Sequence, residues 1–290
     1  MGKHLNRAKT HFGTNTRGLL KGGRYALLHT RTLEFDELRP YVPGDDVRDI
    51  DWKASARSGT VLIKRFVSEK HHKILLVADA GRNMSALAPS GEVKRDIAVN
   101  VMGAIGLITL GRLDEIGMVY GDSRGSANIR DRRGESHIES LLDRFYRHTL
   151  SSPGASDIVT QLAYAASGHR RRMLIIIVSD EPEVDRRLDD VLRQLSGRHD
   201  VMWAMVSDMP AVGGGEDDLD GYDVASGRLV LNGAAVGQHV ITAYRRAERA
   251  RAQRLDAVLT GYSIPHTKIG ATSDIRNKII EMTEVFSHAG

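Results

Sequence analysis

The sequence predicts an α/β fold, a doubly wound and mostly parallel sheet with a β-rich extension on its N-terminal side. Three observations lead there. Short apolar runs bounded by polar turns, of which Lys73–Asp79 (KILLVAD) and Arg172–Ser179 (RMLIIIVS) are the clearest, are too short for helices and apolar enough for buried strands. Segments with helical spacing of apolar residues lie between such runs. Strand and helix then alternate from Lys73 to the C-terminus, and crossover connections turn that alternation into a parallel sheet with helices on both faces.

Taken in order, residues 1–32 carry Lys3, Arg7, Lys9, Arg17, Lys21, Arg24 and Arg31 before the first acid, Glu34. They are expected to form a basic, partly ordered and solvated arm. Aromatic residues are 5% of the chain and are not interleaved with these charges, which argues against a stacking platform for nucleic acid. Residues 33–72 make a β-rich segment, and residues 73–290 the α/β domain. After the first strand, Val93, Ile97, Val101, Ala104 and Ile108 share one helical face, with Gly103 and Gly106 allowing close approach of a neighbour. Glu115–Tyr120 and Ser126–Ile129 flank a Gly121–Gly125 turn and read as a hairpin.

Ile138, Leu141, Leu142 and Phe145 mark the next helix, and Ser151–Gly154 breaks it. Ser156 or Asp157 can cap the helix that carries Ile158, Leu162 and Ala165. Beyond the Arg172–Ser179 strand come a helix over Val184–Leu195 and a strand over Val201–Val206. A loop at Gly213–Gly221 and a hairpin at Tyr222–Leu231, turning at Ser226-Gly227, form an insertion at about 210–233. A long helix over Gln238–Leu259, a strand over Tyr262–Lys268 and a helix through Ile275, Ile279, Met282 and Phe286 complete the order.

Composition narrows the function classes. With 41% hydrophobic and 27% charged residues the chain can bury a normal core. It has no cysteine, so disulfides, thiolate zinc sites and cysteine nucleophiles are excluded. No apolar run approaches 18 residues and the N-terminus has no signal-like apolar stretch, so a cytoplasmic protein is expected. There is no phosphate-binding Walker lysine loop, no Gly-x-Ser-x-Gly elbow and no His-Glu-x-x-His motif.

Residues 39–59, RPYVPGDDVRDIDWKASARSG, form a dense Asp/Arg array around the Pro43-Gly44 turn. Asp51-Trp52-Lys53 fits half of a metal-dependent nuclease motif, in which a carboxylate holds the metal and the lysine steadies developing charge. Asp45 and Asp46 then share a turn with it instead of coming from a distant strand. The preferred expectation is that Asp45 or Asp46 caps a short helix, Trp52 is buried as an anchor, and Arg48 and Asp51 join a local ion-pair network used for docking.

This segment resembles the signature of the bacterial domain-of-unknown-function family 58, whose members carry it just before a von Willebrand factor A-like domain. The resemblance extends from about Leu33 to the C-terminus, and to the family's shorter, soluble members. It implies a von Willebrand factor A-like fold, partnership with a MoxR-type AAA+ ATPase, and chaperone-like assembly or activation of other proteins. It also implies a metal-ion-dependent adhesion site at the carboxyl ends of the strands, where Asp79, Ser156 and Asp180 carry over and bind Mg2+. Gly81 stands where that site has its first serine and Asn83 where it has its second, so Asn83 would supply an amide oxygen. The expected function is a non-enzymatic interaction module. The alternative is a metal-dependent phosphoesterase or nuclease using Asp45, Asp51 and Lys53 or the Asp79–Asp180 cluster.

Overall fold

The structure is a computed structural model that describes residues 2–12, 33–43, 45–68, 72–151, 153–210, 221–230 and 237–288. In chain order its elements are α1 (Lys3–Phe12), β1 (Leu33–Pro40), α2 (Trp52–Ser58), β2 (Leu62–Ser68), β3 (Lys73–Asp79), α3 (Lys94–Arg112), β4 (Glu115–Asp122) and β5 (Gly125–Arg132). There follow α4 (Glu135–Leu150), α5 (Ile158–Gly168), β6 (Leu174–Ser179), α6 (Arg186–Ser196), β7 (Asp200–Val206), β8 (Gly221–Tyr222), β9 (Leu229–Val230), α7 (Gln238–Gly261), β10 (His266–Ile269) and α8 (Ile275–His288).

Six strands make the main sheet in the order β10-β7-β6-β3-β4-β5. Only the edge pair β4–β5 is antiparallel; the other pairings are parallel. Alternate side chains of each strand enter two cores. Ile74, Leu76, Ile116, Met118, Ile176 and Met202 face α1, α3, α4 and α8. Leu75, Val77, Ile175, Ile177, Val201 and Trp203 face α5, α6 and α7. This is the doubly wound arrangement the sequence predicts. The chain passes from β3 to β4 on one side and later returns to β6 on the other, so a switch point opens between the carboxyl ends of β3 and β6.

Three expectations change. Helix α3 was predicted to bury one face, yet it is buried almost all round from Ile97 to Thr109, because α1 and α4 cover the side away from the sheet. Gly103 and Gly106 permit that close cover: a Cβ there would meet Ala8 Cβ at 2.7 Å and Ile138 Cγ2 at 2.5 Å. The start of the arm is correspondingly not a solvated tail. Leu5 and Ala8 are fully buried, and Glu139 accepts hydrogen bonds from the His4 and Leu5 backbone N–H groups at 3.0 and 2.8 Å, capping α1. Residues 13–32 of the predicted arm lie outside the described residues, as does most of the Gly213–Gly221 loop. The β8–β9 hairpin falls where expected, while β10 begins at His266 and not Tyr262, because α7 runs on to Gly261 before the chain turns. Among the described residues no helix is long and apolar enough to cross a membrane.

Candidate functional site

Parallel pairing of β3 with β6, with Ala78 opposite Val178, sends Asp79 and Asp180 out of the same edge of the sheet. Both are nearly inaccessible to solvent. The Asp79 Oδ1 accepts a hydrogen bond from the Gly81 N–H at 2.8 Å, which closes the turn after the strand. Asn83 reaches across the switch point, where its Nδ2 donates to Asp180 Oδ2 at 2.7 Å. Its backbone N–H donates to Ser156 Oγ at 3.2 Å, and the Arg82 N–H donates to the Gly154 carbonyl at 2.9 Å. The sequence-predicted Asp79, Asn83, Ser156 and Asp180 therefore do meet. Asp157, not Ser156, caps α5, its side chain accepting from the Thr160 N–H, which leaves the Ser156 hydroxyl free for Asn83.

Three residues that the sequence reading passed over shape this site. Lys94, the first residue of α3, is 0% exposed and extends its ammonium between Asp180, at 3.7 Å, and Asp208, to which it is directly bonded. Asp208 follows β7 as Asp79 and Asp180 follow β3 and β6, so a third strand ending in an acid was the available signal. A lysine opening an otherwise apolar helix was another, since a cation at a helix N-terminus opposes the helix dipole unless something holds it there. Asp122, at the end of β4, accepts from the Gly154 N–H at 2.8 Å, from His148 Nε2 at 3.0 Å and from the Arg124 side chain at 2.6 Å. With the Ser123 N–H donating to the Ala155 carbonyl at 2.9 Å, it fixes the loop that carries Ser156.

Burial foremost, and then the neighbouring Asp180 carboxylate, push the Asp79 carboxyl up to about 7; the Gly81 N–H, Ser156 and Lys94 act in the opposite sense. Burial also raises the Asp208 carboxyl, against the opposing pull of Lys94. The buried Asp79 Oδ2 has no hydrogen-bond partner among the described residues. Next to the cluster a groove of about 520 Å³ runs between the strand ends, the β8–β9 hairpin and α7. Its lining includes the exposed Leu87, Met209 and Tyr222 beside Asp208, Asp223 and Glu248.

A magnesium ion needs oxygen ligands around it, and these residues fit one poorly. Position 81 offers no side chain, and an ammonium already lies against Asp180. A Cβ at Gly81 would sit 2.4 Å from Ser156 Cα and 2.6 Å from Ser156 N, so the loop leaves no space for the missing serine.

The signature residues lie elsewhere, on the β1–β2 hairpin and its connection. Arg39 grips Asp45 through two bonds of 2.7 and 2.9 Å, and Asp45 also accepts from the Val42 N–H. Asp46 caps the short turn at Val47–Asp49 and pairs with Arg48, while Asp51 caps α2 and faces Lys64 at 3.6 Å. The local ion-pair network is thus present, and Asp51 pairs with Lys64, not with Lys53. Trp52 is not the buried anchor the sequence suggested: it is 68% exposed. As the first residue of a two-turn helix it points away from the hairpin, which α2 meets through Ala54 and Ser55, the Ser55 Oγ accepting from the Leu62 N–H at 2.8 Å.

Fold and site together define a doubly wound α/β domain, with a two-stranded hairpin before it and an acid-ended switch point at the carboxyl edge of its sheet. The chain belongs to the family described as protein of unknown function DUF58, whose model matches residues 37–215. It is 26% identical over 192 residues to the uncharacterized proteins Rv1480 of Mycobacterium tuberculosis and Mb1516 of Mycobacterium bovis, which covers 66% of this chain and 60% of theirs. Among solved structures it is similar to a von Willebrand factor type A protein from Catenulispora acidiphila, with a TM-score of 0.42, 13% identity, and coverage of 75% of this chain and 43% of that one. It is also similar to the SpRpn10 VWA domain, with a TM-score of 0.40, 11% identity, and coverage of 71% and 94%.

Proposed function

We propose that this chain is a non-enzymatic protein-interaction module that binds its partner through the carboxyl edge of the sheet. The partner is a MoxR-type AAA+ ATPase in the cytoplasm, and the pair acts in chaperone-like assembly or activation of other proteins. The observation that carries the reading is the groove beside the switch point. Exposed apolar side chains (Leu87, Met209, Tyr222) line it together with carboxylates, the mixture of apolar anchor and polar rim that protein contacts use. The polar groups beneath it are bonded mainly to one another, as Asn83 is to Asp180 and Ser156. The DUF58 signature supports the choice of ATPase.

The test is affinity between the purified full chain and MoxR-type ATPases of the same organism, with and without ATP. Met209→Asp and Tyr222→Ala are expected to weaken binding by about 30-fold each, as for interface hot spots. No binding to any such ATPase would remove the named partner. Binding indifferent to both variants would remove the groove. Turnover of phosphodiester or phosphomonoester substrates with manganese, lost in Asp79→Ala, would replace the reading with the hydrolase.

A further inference from the structure

We infer that the ammonium of Lys94 is the resident cation of this edge of the sheet and supplies the positive charge that a divalent ion supplies in an adhesion site. Three independent features carry the assignment. The side chain of Lys94 is 0% exposed, yet it lies 3.7 Å from Asp180 Oδ2 and is bonded to Asp208, so its charge is neutralised by acids at the ends of two adjacent strands. A buried ammonium persists only when carboxylates surround it, and here they stand at the carboxyl ends of β6 and β7.

Second, the turn after β3 is short of oxygen ligands for a metal, because Gly81 brings none and a Cβ there would meet the Ser156 backbone. Third, Lys94 comes from a separate element: α3 starts at this edge, its Lys94 N–H donating at 2.9 Å to the carbonyl of Ala86, just beyond the turn that carries Asn83. The lysine is placed by the helix start, and the acids by the strands. With the ammonium in this position, partner binding at this edge needs no metal.

Manganese is the probe, titrated into the full chain and followed by loss of the free-ion paramagnetic resonance signal, with magnesium as competitor. Thermal melts in EDTA and in metal accompany it. Wild type is expected to leave the signal unchanged and to melt at one temperature in both. Lys94→Met, close in length but uncharged, is expected to melt lower than wild type. Lys94→Ser, which empties the space of the ammonium but keeps Asp79, Asp180 and Asp208, is expected to gain manganese binding that Lys94→Ser/Asp180→Asn loses. Saturable binding to wild type with a Kd of about 1 mM or tighter, abolished by Asp180→Asn, would overturn the inference. A Lys94→Met protein as stable as wild type, or a folded Lys94→Ser protein that takes up no manganese, would do the same. Should both lysine variants fail to fold, the wild-type titration decides alone. None of these readouts involves the ATPase, so failure here and failure of the interaction reading are separable.

Discussion

Restoring the serine that an adhesion site would have, by Gly81→Ser, should damage this protein instead of completing it. The backbone of Gly81 is extended (φ −74°, ψ −178°), so any residue could adopt its conformation; space is what is missing. The new Cβ would lie 2.4 Å from Ser156 Cα, roughly 1 Å inside ordinary carbon–carbon contact. The contact is with backbone, so no side-chain rotation relieves it, and the loop at 153–157 must move. Four hydrogen bonds hold that loop: Arg82 N–H to the Gly154 carbonyl, Gly154 N–H to Asp122, Ser123 N–H to the Ala155 carbonyl, and Asn83 N–H to Ser156 Oγ. At about 1 kcal/mol net for each bond strained or lost, the cost is roughly 3–4 kcal/mol. In a domain of this size that lowers the melting temperature by about 10 °C. Circular-dichroism melts of wild type, Gly81→Ala and Gly81→Ser measure it. Alanine should cost nearly as much as serine, because the Cβ is the offending atom. A Gly81→Ala protein that melts with wild type would refute the reasoning, and a serine variant stabilised by magnesium above the alanine one would refute the donor-set argument as well.

The two tryptophans should behave oppositely. Trp203, fully buried with its indole N–H donating to Ser179 Oγ at 2.9 Å, should lose about 3–5 kcal/mol on replacement by alanine. Trp52→Ala should change stability by no more than about 0.5 kcal/mol, and urea titration of both variants compares them directly. The Arg124 side chain foremost, with the Gly154 and Arg124 N–H groups and His148, holds the Asp122 carboxyl far below the usual carboxylate range. Its stabilisation is therefore complete above the unfolded value near pH 4 and is lost as pH falls through the folded one. Asp122→Asn should cost about 2 kcal/mol at pH 7 and flatten the acid limb of a stability-against-pH curve; an unchanged acid limb would show that Asp122 is not what titrates there.

The fold was legible because buried strands on both faces leave a continuous apolar signature, as in Leu174–Ser179, and because successive βα units place every parallel strand end on one side. That geometry made the meeting of Asp79 with Asp180 readable from their positions alone. Ser156 was legible as a loop residue near the same edge, but not as the acceptor for Asn83, since choosing between Ser156 and Asp157 as the cap of α5 takes the actual path of the loop. Lys94 was hidden for a different reason. It contributes from a helix start on a separate element, and in sequence a lysine beside an arginine at a helix boundary looks like a solvated end. Trp52 misled because a tryptophan among charges reads as an anchor, whereas α2 meets the hairpin through Ala54 and Ser55 and leaves Trp52 exposed.

With a metal at the switch point, a partner would complete the coordination shell with a carboxylate. With Lys94 there, the polarity of recognition reverses. The ammonium is wholly enclosed and presents nothing outward, whereas Asp208 keeps 46% of its side chain exposed at the groove. Asp223 and Glu248 line the same groove; Arg251, the cation among its lining residues, is already bonded to Glu248 and to the Glu181 carbonyl. An incoming cationic side chain therefore meets unbalanced negative charge, and its aliphatic stem can lie along Met209 and Tyr222. Partner affinity should fall with ionic strength and fall about tenfold in Glu248→Gln and again in Asp223→Asn, on the scale of rim charges near a desolvated contact. Arg82, exposed on the turn beside Asn83 but not among the groove-lining residues, supplies the opposing test. If Arg82→Ala weakens binding while the acid-to-amide variants strengthen it, the partner offers a carboxylate after all, and the switch point recognises it through a surface arginine instead of through the groove.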